Sequence, residues 1–143
     1  MARYGISFTK TTGAAAGLLA QLRTGTARDL RIYEIGVFAA TAVASQVALT
    51  RPTAVGSGFT STSTGAAEDP ISAAGVAVVD TAASTAPTIT TSYLRLAQIP
   101  ATIGAGIVWT FPNGLVVPTS GGMVLQQLST AAVTYAVYLS YDE

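Results

Sequence analysis

Two stretches of the chain alternate strictly between its two faces. In the first, Val43, Ser45, Val47 and Leu49 fall on one side, and Ala44, Gln46, Ala48 and Thr50 on the other. In the second, Val133, Tyr135, Val137, Leu139 and Tyr141 share a side opposite Thr134, Ala136, Tyr138 and Ser140. A period of two is the mark of a half-buried strand. Tyr4, Ile6 and Phe8 alternate in the same way, so the N-terminus predicts a short strand or an extended arm over residues 1–12. The stretch Leu30–Phe38 is rich in β-formers on both sides. Ile32 and Phe38 point one way and Tyr33, Ile35 and Val37 the other, as in a central strand covered on both faces. With small residues at Ala39–Ala42 to turn the chain, Leu30–Pro52 reads as a hairpin.

Between these stretches the rhythm changes. Gly13–Arg23 is Ala-rich with Leu18, Leu19 and Leu22 at helical spacing, which predicts one short helix, with a strand as the alternative. From 53 to 87 the pattern is lost. Gly56–Gly65 is a run of Ser, Thr and Gly, Glu68-Asp69-Pro70 reads as a turn, and Gly75–Val79 predicts a weak strand within a long loop. Strands return over Ile89–Ile99 and Ile107–Phe111. Pro112-Asn113-Gly114 is the strongest turn signal in the chain, and the short Leu115–Pro118 strand after it ends on a proline suited to an edge. Trp109 and Phe111 share a face and are read as core. The sum is about eight strands with turn signals at short intervals. That predicts an all-β fold, an antiparallel β-sandwich of jelly-roll or Greek-key type, in one domain over 13–143 with a long loop over 53–87.

Composition narrows the chemistry. The 143 residues contain no Cys and no His, which removes thiolate chemistry, disulfides, the commonest general base and the commonest metal ligand. Only 10% of residues are charged and the net charge is zero, so neither nucleic acid nor an anionic membrane has a basic patch to meet. The surface must be made of Thr, Ser, Ala and Gly, a composition that suits contact with other subunits. No apolar run reaches the roughly 20 residues of a membrane helix. The N-terminal stretch lacks the order of a signal peptide, which fits a protein made in the cytoplasm. No Gly-x-Ser-x-Gly elbow, phosphate loop or calcium loop is present, and Glu68-Asp69 is the sole internal pair of adjacent carboxylates. No enzyme, cofactor or metal site is expected.

Several segments together carry a resemblance. They are Arg31-Ile-Tyr-Glu-Ile-Gly-Val-Phe38, a long polar loop with Asp69-Pro70, Ile103-Gly-Ala-Gly-Ile-Val-Trp-Thr-Phe111, Gly-Leu-Val-Val-Pro118 and a closing aromatic strand. Over Leu22–Glu143 the chain resembles the small β-sandwich head decoration or cement proteins of tailed bacteriophages. The resemblance implies a structural virion protein on the outer capsid surface. It implies the major capsid protein as partner and a homo-oligomer, a trimer in the commonest case. The candidate subunit or capsid contacts are Tyr4, Ile6 and Phe8 on the arm and Phe59, Glu68 and Asp69 in the long loop. The alternative is a tail or fibre component, a receptor-binding or adhesin-like sandwich, which exposed Tyr93 or Phe59 would favour. A hydrolase is the reading of another class, and it lacks a visible titrating group.

Overall fold

The computed structural model describes residues 2–89 and 91–143. Met1 of the expected arm and Thr90 lie outside the described residues. Among the described residues there are thirteen strands: β1 (Arg3–Thr11), β2 (Gly17–Arg23), β3 (Leu30–Ala39), β4 (Ser45–Thr50), β5 (Pro52–Ala54), β6 (Ser57–Thr64), β7 (Ala66–Ala67), β8 (Val78–Thr85), β9 (Thr88–Ile89), β10 (Arg95–Ile99), β11 (Gly106–Val117), β12 (Gly122–Gln127) and β13 (Thr134–Asp142). A front sheet runs β11-β3-β13-β1-β7 and a back sheet β10-β4-β12-β2-β8-β6, all antiparallel.

The pairing has a simple logic. β1 pairs with β13, β2 with β12, β3 with β11 and β4 with β10. The chain is thus one long hairpin wrapped into two four-stranded sheets, which is the wiring of an eight-stranded jelly roll. The other five strands belong to a single insertion between β4 and β10, at the tip of that hairpin. Its strands β8 and β6 extend the back sheet beyond β2, and β7 extends the front sheet beyond β1. β5 and β9 form a separate two-stranded ribbon.

Between the sheets lies one core. Ile35, Val37, Val137 and Leu139 of the front sheet face Leu22, Leu49, Met123 and Leu125 of the back sheet, all less than a tenth exposed. Burial of this alternating set is the driving force that selects two packed layers.

Five sequence expectations need correction. First, Gly13–Arg23 holds no helix; its second half is β2. The β2–β12 register slips beside Leu19, so Leu19, Ala20 and Leu22 all reach the core from an extended chain. A short Ala-rich segment cannot sustain two helical turns against pairing on both edges. Second, β3 and β4 do not form a hairpin. They lie in different sheets, which lets Ile35 and Val37 meet Val47 and Leu49 across the core instead of beside it. Third, Ile32 and Ile35 both point inward. Tyr33 has no partner in β11 or β13, so it is the extra residue of a β-bulge that shifts the alternation. The apparent two-sidedness of this strand came from that bulge.

Fourth, Pro112-Asn113-Gly114 is not a hairpin turn. Residues on both sides of it pair with β3, so Phe111–Gly114 bulges out opposite Tyr33 within one strand. Gly114 takes the φ of +70° that the Asn-Gly step foretells, and Pro112 is tolerated because β11 is an edge strand. Fifth, the expected loop 53–87 contains β6 and β8. β6 shows no alternation because it is an edge strand with seven of its eight residues exposed, so neither face selects apolar residues. Residues 3–11, expected as a short strand or an extended arm, are the strand. They pair with β13 along the whole of β1.

Candidate interaction surface

The pleat gives each sheet an outer face. On the back sheet, Gln21, Ala48, Thr50, Val124 and Gln126 point away from the core yet are at most 3% exposed. The insertion covers them. The Gly56 N–H donates to Gln21 Oε1 at 2.9 Å, and Thr50 Oγ1 donates to the Ser92 carbonyl at 3.2 Å. Val55 and Pro52 lie against Gly122, where an added Cβ would be 3.1 Å and 3.5 Å from them. A buried acid fastens the insertion at its other end. Asp80 on β8 is fully buried and ion-paired with Arg23 of β2, and Thr62 Oγ1 of β6 donates to it at 2.8 Å.

The front sheet has no such cover. Its outer rows read Thr9–Ala136–Phe38–Gly106, then Ser7–Tyr138–Gly36–Val108, then Gly5–Ser140–Glu34–Thr110. Two rings lie down on two glycines. A Cβ on Gly36 would sit 2.0 Å from Tyr138 Cε1, and one on Gly106 would sit 2.5 Å from Phe38 Cδ1. Hydrogen at Gly36 lets the Tyr138 ring rest on the sheet, and hydrogen at Gly106 makes room both for the Phe38 ring and for the Val37 carbonyl, which an added Cβ would meet at 2.3 Å. The rings are near-parallel neighbours, their centroids 6.2 Å apart and their planes 14° from one another. Beside them Val108 is 41% exposed.

At the bulge end of this face the chain concentrates its charge. Of seven basic and seven acidic residues in the whole chain, Arg3, Arg31, Glu34, Glu68 and Asp142 gather here. Arg3 Nε donates to Asp142 Oδ1 at 3.1 Å while its guanidinium lies 4.7 Å over the Tyr33 ring. The Tyr138 hydroxyl donates to Glu34 Oε1. That bond to a carboxylate, with some burial added, pushes the Tyr138 phenol above its ordinary value. Between the Phe111–Gly114 bulge and these side chains runs a groove of about 260 Å³. It opens beside a shallower depression of about 440 Å³ over the two rings.

The expected contact residues fall in three places. Tyr4 and Ile6 are 5% and 3% exposed and belong to the core, where the inward face of β1 carries them. Phe8, half-buried, packs against the edge of that core. Phe59 is half-buried beneath the Arg23 guanidinium, 4.0 Å from its ring. Glu68 and Asp69 are exposed at a turn; Asp69 Oδ1 accepts the Ile71 N–H, and the Glu68 backbone N–H donates to Arg3. The structure does not bring the six together. Sequence reasoning missed Glu34, Tyr138 and Phe38 as a unit, because only the β3–β13 register places them side by side. Gly36 and Gly106, on outward positions of strands, were the signal available.

Among the described residues no three or more acids, histidines or cysteines cluster to hold a metal ion, and no helix is long and apolar enough to cross a membrane. No family model, no curated protein and no solved structure matches the chain, so its surfaces alone carry the functional reading.

Proposed function

We propose that this protein is a structural virion component, a decoration protein that binds the outside of a bacteriophage head through its insertion. The observation that carries the reading is the exposed side of that insertion. β6, at the edge of the back sheet, contains only Ser, Thr, Gly and Phe. It has no Lys, Pro or other charge of the kind that guards edge strands against pairing. In the loop that follows, Ile71 is 91% and Val76 62% exposed. An unguarded edge and exposed aliphatic side chains on one insertion are features suited to cover by a partner. The jelly-roll wiring supports the same reading by analogy, since viral capsid proteins use it, though a fold is no function by itself. The protein acts as a homo-oligomer, a trimer on the resemblance above, bound to the major capsid protein.

The test is the copy number of this chain relative to the major shell protein in purified particles, by quantitative mass spectrometry. A near-stoichiometric ratio is expected. A handful of copies per particle would move the protein to the tail or a fibre, and absence from particles would overturn the reading.

A further inference from the structure

We infer that the groove on the front sheet is a binding site for a neutral oligosaccharide, with Tyr138 as its stacking platform and Glu34 as its central hydrogen-bond acceptor. The inference does not rest on the capsid reading. It begins with what a pyranose offers, which is flat C–H faces alternating with hydroxyls that both donate and accept. The front face offers the complement in one strip. Tyr138 and Phe38, half-buried, lie over Gly36 and Gly106 and line a shallow depression on the outer face. Next in line stand the polar groups of the groove. Glu34 has one oxygen engaged by the Tyr138 hydroxyl, which holds the ring in place, and its Oε2 has no hydrogen-bond partner among the described residues. The Thr110 hydroxyl and the terminal nitrogens of Arg3 are also without side-chain partners there.

Other occupants fit less well. An anion would meet the carboxylates of Glu34, Glu68 and Asp142, while Arg3, the one guanidinium that lines the groove, already serves Asp142 and Arg31 is turned to the Asn113 carbonyl of the bulge. A purely apolar ligand would leave a carboxylate oxygen and the Thr110 hydroxyl desolvated without partners, which costs more than the rings return. A groove of about 260 Å³ lies near the lower limit of small-molecule sites, so it seats a short segment of chain and not a large aglycone. The half-exposed Tyr33 ring under Arg3 walls one side and Pro112 of the bulge stands at the other. The two bulges that disturb the β3 pairing therefore have a consequence. They open the groove at the row where Glu34 lies.

The test is an NMR titration of the intact, ¹⁵N-labelled protein with three neutral probes, maltohexaose, cellohexaose and chitohexaose, and with sialyllactose as an anionic one. Binding of at least one hexaose is expected, with shifts confined to Gly36, Thr110, Ala136, Ser140 and the Tyr138 ring. Sialyllactose should leave the spectrum unchanged. Tyr138→Ala should weaken the hexaose roughly tenfold, the worth of one well-placed aromatic contact. Glu34→Gln, which keeps the shape and removes the charge, should weaken it several-fold. The amide dispersion of each variant reports whether it folds, and Phe38→Ala replaces any that does not. No shifts with any of the three hexaoses at millimolar concentration would overturn the site. So would shifts elsewhere on the surface, or unchanged affinity in folded Tyr138→Ala and Glu34→Gln.

Discussion

On the back sheet Gln21, Thr50 and Gln126 point away from the core and are still buried, whereas on the front sheet Ser7, Ala136 and Val108, at equivalent positions of the pleat, are open to solvent. Both outer faces belong to the same wrapped hairpin, so the wiring does not explain the difference. The insertion does. It lies over the back face and supplies backbone partners to two of the polar atoms it covers, Gly56 N–H to Gln21 Oε1 and the Ser92 carbonyl to the Thr50 hydroxyl, while Gln21 Nε2 is buried without one among the described residues. Burying those amide and hydroxyl groups without such partners would cost about 1–3 kcal/mol each. The front face is finished from its own residues, with two rings laid over two glycines and a charged cluster at one end. A face that is only solvated needs neither glycine nor ring. One side of the molecule is closed by the chain itself, and the other is kept open and shaped.

The sharpest way to break this contrast is to unfasten the insertion. Asp80→Ala removes the partner of Arg23 and the acceptor of Thr62 in one change. Loss of a buried ion-pair partner costs 3–5 kcal/mol, and because Arg23 keeps 30% of its side chain exposed the lower end, about 3 kcal/mol, is expected. Urea denaturation would show it as a lower midpoint. An unchanged midpoint would mean that the insertion stays closed without this clasp.

A smaller effect is expected on the front face. Gly36→Ala places a methyl group 2.0 Å from the Tyr138 ring, and the ring must swing outward. The cost to stability is about 1 kcal/mol, because the obstacle is a ring with solvent beside it and not backbone. The near-parallel setting beside Phe38 and the bond to Glu34 are lost together. Disappearance of the ring-current shift on Phe38 would show it, and a ring left in place would contradict the geometry.

The smallest effect separates the outer face from the core beneath it. The Tyr141 hydroxyl is buried with no hydrogen-bond partner among the described residues, and burial, then the nearby Glu143 carboxylate, pushes its ionisation far above the ordinary tyrosine value. Burial raises Tyr135 as well, and the bond to Glu34 raises Tyr138. Phenols whose values are raised by folding leave stability intact below the ordinary value of about 10 and remove it as pH climbs through the folded values. The protein should therefore unfold progressively in alkali. Tyr141→Phe should leave neutral-pH stability unchanged or raise it by about 1 kcal/mol, since an unpaired buried hydroxyl is removed. The same change should move the alkaline transition upward. A destabilised variant at pH 7 would show that the hydroxyl has a partner after all.

Much of the jelly roll was legible in the sequence wherever a strand buries one face. The alternations at Val43–Thr50, Val133–Tyr141 and Tyr4–Phe8 each mark a real strand. What escaped was governed by pairing across long distances. Tyr33 and Leu19 are bulge residues, and a single extra residue inverts the phase of everything after it. Asn113-Gly114 supplies the backbone of a turn, yet whether such a step reverses the chain or swells one strand depends on what flanks it, and here both flanks belong to β3. β6 was invisible because an edge exposed on both faces carries no periodic signal. The front-face site was hidden for the same reason that it exists. Glu34, Tyr138 and Thr110 come from three strands, and only the register brings them into one row and its neighbour.

Under the proposed function the insertion side meets the partner on the particle and the front face stays open. Hydroxyl-radical footprinting, read by mass spectrometry on the free protein and on particles that carry it, tests this directly. Ile71, Val76 and Phe59 should lose labelling on the particle, while Tyr138, Phe38 and Val108 keep it. Protection of Tyr138 and Val108 with Ile71 and Val76 still labelled would contradict the account.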